Sequence, residues 1–242
     1  MIPWLSERIL FPPLESALAD PPGLLAVGGD LSPERIIAAY RLGIFPWYSQ
    51  GDPILWWSPD PRMVLRPSEL KISRSLSRIL RNADYEVRLD SAFADVIRAC
   101  ATSPRNGQRG TWISEEMQQA YICLHQLGHA HSVETWIDDQ LSGGLYGIAI
   151  GQAFFGESMF SRVRDASKIS LAHLCAHLRA HNFGIIDCQM ETPHLTSLGA
   201  RLIPRHDFVA EVTTLVKESS APKLWQRDEI LNHFRRTDIN AG

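Results

Sequence analysis

The sequence is short of the features that would place it quickly. Its four cysteines (Cys100, Cys123, Cys175, Cys188) are scattered and form no C-x-x-C pair. That argues against structural zinc and against a disulfide scaffold, and fits a reducing cytoplasm. No run approaches the roughly 18 apolar residues that a membrane span needs. The start, MIPWLSERILFPPLE, breaks its apolar residues with Ser6, Glu7, Arg8 and a proline pair, so it fails as a signal peptide. No G-x-x-x-x-G-K-[ST] or G-x-G-x-x-G is present to hold a nucleotide. A glycine-rich [QR]-x-x-G-x-[GA] loop for the coenzyme A pyrophosphate is missing too, which weakens any acetyl-CoA reading. Net charge is only −3, so the whole-molecule field gives no reason to expect a nucleic acid.

What is present is a chain of 242 residues, 45% hydrophobic and 21% charged, enough for one large domain or a small one beside a medium one. The first sixty residues are rich in Pro, Gly and aromatics. One helix is signalled there, with Ser32 as N-cap, Pro33 at the first helical position and Gly43 ending the run. The remainder reads as loops packed around Trp47, Trp56 and Trp57. The composition shift places a boundary near Pro59–Arg62, giving a small N-terminal domain (residues 1–61) and a larger one (62–242).

The second part is patterned as mixed α and β. A short strand (Met63–Leu65) precedes a helix from Ser73 to Arg81 and a strand at Tyr85–Leu89. Ser91 caps a helix through Ala101; after the loop SPRNGQRG, Ser114 opens another to Leu127, closed by Gly128. HSVETWI, LSGGLYGIAIG and AFFGESMF read as successive strands, the first two joined by a tight turn at Asp138–Gln140. A helix (Ala166–His181), the strand GIIDCQ, a helix over Phe208–Lys217 and a polar tail complete the chain. Three antiparallel strands, a helix and a further strand predict an α+β fold of the N-acetyltransferase type, with a mixed, mostly antiparallel sheet.

Charge is locally uneven. Arg62, Arg66, Lys71, Arg74, Arg78 and Arg81 face the single acid Glu69. On the helix from Ser73, Arg74, Arg78 and Arg81 share one face, which suits either a solvated surface or a phosphate-binding one. Trp47, Trp57, Trp112 and Phe154 could stack a nucleobase or belong to a core.

Candidate chemistry concentrates between Gly143 and Gln189. Strand alternation puts Asp187 and Gln189 on one face, with Ile186 and Cys188 on the other. An acid beside an amide can aim a polar group into a cleft, or merely sit at a solvated strand end. Glu157 follows Phe154, Phe155 and Gly156 and precedes Met159 and Phe160, so its carboxylate needs a partner or a shifted pKa. It reads as a specificity acid for a basic substrate, or as a buried ion pair with Arg162. Ser158 is in no G-x-S-x-G elbow, since Phe160 takes the second glycine's place. Alternation turns Cys188 away from His194 towards a structural role. His173, His177 and His181 lie off the core stripe of their helix and read as a solvated face.

The strings GLLAVGGDLSPERIIAAYRLGIFPWYSQGDPILWWSPDPR, GTWIS, LHQLGHAHSVETW, GGLYGIAIGQAFFGESMFSRVRDASK, IIDCQ and SLGARLIPR closely resemble the bacterial leucyl/phenylalanyl-tRNA–protein transferases, in order, from about Phe11 to Arg205. The resemblance implies a cytoplasmic, monomeric enzyme of the N-degron pathway without a cofactor or metal. Its partners would be Leu-tRNA or Phe-tRNA and proteins beginning with Arg or Lys. By the same resemblance Asp187 polarises Gln189, whose amide accepts a hydrogen from the attacking amine, and Glu157 binds the acceptor peptide. Leu145, Ser158, Met159 and Ile186 would line the pocket for a leucine, phenylalanine or methionine side chain; Leu174 stands where an aromatic is expected. Trp47, Trp112, Tyr121 and Phe154 would hold the tRNA's terminal adenosine. Lys71, Arg74, Arg78 and Arg81 would contact its phosphates. The tail beyond about Lys217 matches nothing and receives no role.

Overall fold

Around Trp56 and Trp57 the chain does not remain irregular, as expected, but pairs into a sheet. The computed structural model describes residues 2–103, 112–219 and 224–234; the loop expected at SPRNGQRG lies, from Pro104 on, outside the described residues. The first elements are β1 (Trp4–Leu5), β2 (Leu24–Gly28), α1 (Pro33–Arg41), β3 (Phe45–Pro46) and β4 (Leu55–Trp57). They make a four-stranded sheet in the order β1-β2-β4-β3. β1, β3 and β4 carry too few residues to show alternation, β2 is buried from Leu24 to Val27 and so shows none, and Pro46 is tolerated because β3 is an edge. Gly43 ends α1 with φ +74, and a Cβ there would meet the Phe208 ring at 2.9 Å.

The larger sheet begins at β5 (Arg62–Leu65). There follow α2 (Arg74–Asn82), β6 (Glu86–Leu89), α3 (Phe93–Thr102), α4 (Glu115–Gln126), β7 (Ala130–Ile137), β8 (Gln140–Ile150) and β9 (Ala153–Ser161). Then come α5 (Ala166–Ala180), β10 (Ile185–Gln189), α6 (Pro193–Ser197), β11 (Arg201–Ile203) and α7 (Arg205–Leu215). The strand order is β11-β5-β10-β9-β8-β7-β6. Within this sheet, among the described residues, only β9 and β10 run parallel, with α5 as their crossover. The fold is the α+β arrangement expected, with α6 and β11 as short additions. Asp138 and Asp139 join β7 to β8 at φ +49 and +56, the left-handed pair of a type I′ hairpin. Ser114 caps α4, its hydroxyl accepting from the Met117 N–H at 3.2 Å. Ser91 does not cap α3 as expected. Instead the Glu134 carboxylate receives the Ser91 and Ala92 N–H groups, each at 3.4 Å.

Each face of the large sheet carries an apolar cluster. One joins the small sheet, α1, α3, α4 and α7 through Tyr40, Trp56, Val96, Tyr121, Phe155 and Phe208. The other joins α2 and α5 through Leu76, Leu80, Leu171 and Leu178, and includes Leu224 and Leu231 from the tail. That inclusion corrects two expectations. His173 and His177 are buried, not solvated. The cause is the tail, which folds back over them. Leu231 N–H donates to the Val87 carbonyl (2.8 Å) and Leu89 N–H to that of Glu229 (2.9 Å), extending the β6 edge. His177 Nε2 donates to the Leu224 carbonyl at 3.0 Å, and Trp225 stacks on His131 at 4.2 Å. Burial pushes the His177 pKa down to about 4, so the ring is neutral beneath the tail. Among the described residues no helix is long and apolar enough to cross a membrane.

The tail is therefore part of the core. Leu231 is 3% exposed and its neighbour Ile230 50%. Leu231→Ala should cost about 2–3 kcal/mol in urea unfolding, whereas Ile230→Ala should stay within about 0.5 kcal/mol. Equal effects would mean the tail does not dock.

Candidate active site

Two irregularities in neighbouring strands create the site. Pairing of β8 with β9 passes from Gly147↔Gly156 to Tyr146↔Ser158, which leaves Glu157 as an extra residue. Pairing of β10 with β5 passes from Asp187↔Val64 to Gln189↔Met63, which leaves Cys188 extra. Each is a β-bulge, a device that bends a strand and re-aims its side chains. The parallel ladder between β9 and β10 stops at Asp187↔Phe155, just before both bulges. Beyond that point the strands part around a cavity of about 500 Å³.

The bulge overturns the expected alternation. Gln189 has φ +59, and it lines the cavity together with Ile186 and Cys188, while Asp187 does not. Cys188 is no nucleophile here: burial, with the nearby Asp187 charge, raises its thiol pKa far above the usual range.

Asp187 instead faces Arg62. Its Oδ1 accepts from Arg62 Nε at 2.8 Å and its Oδ2 from Nη2 at 2.7 Å, with both side chains 0% exposed. Arg62 also donates to the Gly43 carbonyl at 3.0 Å and lies between the rings of Phe45 and Phe208. Arg62 is therefore no part of a surface patch. Asp187 Oδ1 further accepts the Gln189 backbone N–H at 2.9 Å. The link from Asp187 to Gln189 thus runs through the main chain and not, as expected, through the amide.

The amide is held by Glu157. Gln189 Nε2 donates to Glu157 Oε1 at 3.0 Å, and the Tyr40 hydroxyl donates to the same oxygen at 2.5 Å. Tyr121 donates to Oε2 at 3.1 Å, and the two tyrosine hydroxyls lie 2.6 Å apart. When Glu157 is ionised it only accepts, so the Gln189 amide then presents its NH₂ to Glu157 and directs its oxygen elsewhere. Arg162 is not the ion-pair partner: it donates to the Leu141 carbonyl and lies over Phe160. Without a cation, burial raises the Glu157 pKa to about 7, opposed by the hydrogen bonds from Tyr40, Tyr121 and Gln189 and reinforced by the Asp187 charge. Burial and the adjoining carboxylate raise both tyrosines well above their ordinary range, which keeps them as donors.

Leu145, Ser158, Met159 and Ile186 all line this cavity, as do Leu174, Trp47, Trp112 and Phe154. Trp47 is presented by the small sheet, where the Trp57 indole N–H donates to its carbonyl at 2.6 Å. Tyr121 does not reach the cavity wall; it is fully buried behind Glu157, so its ring offers no stacking surface. Lys71, Arg74, Arg78 and Arg81 are exposed outside the cavity and in no ion pair among the described residues. The expected patch is narrower by two, since Arg66 forms a bidentate pair with Glu211. Its one acid, Glu69, is engaged by Arg201. Tyr40, Arg62 and Glu191 are site residues that sequence reasoning missed: Tyr40 and Glu191 were given no role, and Arg62 was counted in the basic patch. Among the described residues no three His, Cys, Asp or Glu side chains converge as metal ligands.

A sequence profile for leucyl/phenylalanyl-tRNA protein transferase matches residues 64–213, and one for that enzyme's N-terminal domain matches residues 29–60. The chain belongs to this family. A leucyl/phenylalanyl-tRNA–protein transferase of Aromatoleum aromaticum is 62% identical over 225 residues, covering 93% of this chain and 94% of that one. The one from Chromobacterium violaceum is 60% identical over 225 residues, covering 93% and 96%. That of Paraburkholderia xenovorans is 53% identical over 238 residues, covering 96% and 97%.

In this leucyl/phenylalanyl-tRNA–protein transferase family member, Glu157 makes the site pH-sensitive. A carboxyl whose folded pKa is raised from 4.5 to about 7 contributes stability at low pH that is lost as pH rises through that window. Glu157→Gln cannot ionise, so it should gain stability relative to wild type between about pH 4.5 and pH 7. Urea unfolding on either side of that window measures the difference, and a difference independent of pH would contradict the raised pKa.

Proposed function

We propose that the chain transfers leucine or phenylalanine, and methionine as a further donor, from aminoacyl-tRNA to the α-amino group of proteins beginning with Arg or Lys. The observation that carries this reading is one cavity in which the Gln189 amide, the Glu157 carboxyl and the side chains of Leu145, Ser158, Met159 and Ile186 meet. The tagged proteins would enter N-degron degradation, and the enzyme would act as a cytoplasmic monomer.

The chemistry asks little of the protein. An aminoacyl ester is already activated, so no covalent intermediate is required. The acceptor nitrogen attacks the ester carbonyl, an amide bond forms, the ester C–O bond breaks, and the tRNA 3′ oxygen leaves with the proton the amine gives up. Positioning a neutral amine within reach supplies much of the rate. In this reading the Gln189 oxygen accepts an N–H of the attacking amine, while Glu157 fixes the amide and helps bind the acceptor. Asp187 contributes by holding the Gln189 backbone in its left-handed turn. The donor side chain enters between Leu145, Met159 and Ile186, where an unbranched Cβ fits best, and Leu174 leaves more room than an aromatic would. Trp47 and Trp112 take the terminal adenosine, while Phe154, fully buried against Trp225, contributes only cavity wall. Lys71, Arg74, Arg78 and Arg81 hold phosphates, which makes binding salt-dependent and largely indifferent to sequence.

Transfer of labelled leucine from Leu-tRNA to an Arg-starting substrate tests the reading. Normal tRNA binding without labelling would point to a non-catalytic adaptor. Gln189→Ala should lower turnover by roughly a hundredfold or more with little change in tRNA affinity; an equal fall in both would defeat its role. Reversing Arg74 and Arg78 to Glu should weaken tRNA binding and reduce the salt slope by about one for each phosphate no longer neutralised. An unchanged slope would return α2 to a plain solvated surface.

A further inference from the structure

The cavity wall holds two carboxylates, Glu157 and Glu191, and among the described residues no lysine or arginine. The two acids differ in every respect that matters for a cation. Glu157 is partly buried, both its oxygens accept hydrogen bonds, and it has lost much of its acidity to burial. Glu191 is exposed at the cavity's rim and takes part in no ion pair among the described residues. Its place is fixed from both sides. Met190 N–H donates to the Cys188 carbonyl at 2.7 Å, closing the turn centred on Gln189. On the other side Thr192 caps α6, accepting from the Leu195 N–H at 3.2 Å. His194, which also lines the cavity, brings no competing charge, since burial and the nearby Lys168 lower its pKa.

We propose that Glu191 reads the basic side chain of the acceptor's first residue by an ion pair at the cavity rim, while Glu157 and Gln189 hold its α-amine inside. This rests on the acceptor reading given above. The two nitrogens of such an acceptor make opposite demands. The α-amine has to be neutral to attack, which suits an interior where a charge is costly. The side-chain cation stays charged, and taking it beside Glu157 would strip its water. A long side chain instead lays its methylene stem along apolar wall and keeps its head in water. The apolar walls beside Met190 and Leu195 supply that stem's path, and Glu191 meets the head. A solvated carboxylate accepts an ammonium or a guanidinium, whereas a buried bidentate site would discriminate between them. The arrangement therefore accounts for both Arg and Lys.

The test compares kcat/KM for peptides beginning with Arg, Lys and Ala in the full-length wild type, E191Q and E191K, with Leu-tRNA as donor. In E191Q the Arg:Ala ratio should fall about fivefold, as for an exposed ion pair, and in E191K further. The salt dependence of KM for the Arg peptide should flatten in both. An unchanged ratio, an equal loss for all three peptides, or a loss confined to the KM for Leu-tRNA would each overturn the assignment. A wild type without preference for Arg over Ala would defeat the acceptor reading itself. A preference that survives in E191Q defeats only the role of Glu191.

Discussion

The Arg62–Asp187 pair is the interaction on which the rest of this structure depends. Two fully buried charges are costly to desolvate, and such a pair is maintained only where geometry and further hydrogen bonds satisfy it. Here two parallel N–H···O bonds are joined by the Gly43 carbonyl, the Gln189 backbone N–H and two aromatic rings that sandwich the guanidinium. Losing one partner of such a pair strands the other in the interior, at a cost of roughly 3–5 kcal/mol. The network ties together the end of α1, the second sheet and the bulge of β10. Because Gln189 sits at φ +59, outside the comfortable region for a side-chain-bearing residue, something must hold it there. Asp187 does so, and the stabilising pair thereby sets the site's geometry.

A second constraint follows from the bulge at Glu157. That residue is turned towards the face carrying α1 and α4, where Tyr40 and Tyr121 receive it. One tyrosine belongs to the helix of the N-terminal part and the other to the larger part, so the carboxyl is complete only when the two pack together. The small sheet presents Trp47 to the cavity from the same direction. The N-terminal residues are thus built into the cavity's wall and the support of Glu157, and share the apolar core of the larger part.

How much of this was legible in the sequence depended on whether the signal was local. Ser114, Pro33 and Gly128 marked helix ends because capping is decided within a turn. The strands β7 to β9 were long enough to show themselves, and the cavity wall from Leu145 to Ile186 was already implicated by the family strings. What failed was everything set by a distant partner. Alternation put Gln189 beside Asp187, and one extra residue at Cys188 moved it to the other face. A charge run counted Arg62 as surface, though its partner lies 125 residues away. The α5 histidines looked solvated because one apolar stripe was visible, while their second cover is a tail of unremarkable composition with Leu224, Trp225 and Leu231 spread through it. The strands β1, β3 and β4 were too short for any periodicity to register, and β2 is buried along nearly all its length and so does not alternate.

Charge is sorted on this molecule in a way that its net value of −3 conceals. The free cations of α2 and Lys71 stand outside the cavity, while the cavity wall itself carries acids and no lysine or arginine among the described residues. Pairing produces the sorting: Arg62 is consumed by Asp187, Arg66 by Glu211, and the lone acid of the basic stretch by Arg201. Each pair removes a charge that would have blurred the boundary between the two regions. In the proposed reading, phosphates are held at α2, outside the cavity, and a basic side chain is met at its rim. At close range the carboxyl deepest in the cavity is also the one whose charge burial suppresses most, so the attraction a cation feels weakens as it moves inward. Under the proposed acceptor reading, this gradient would keep a basic group at the threshold and leave the interior to a neutral amine.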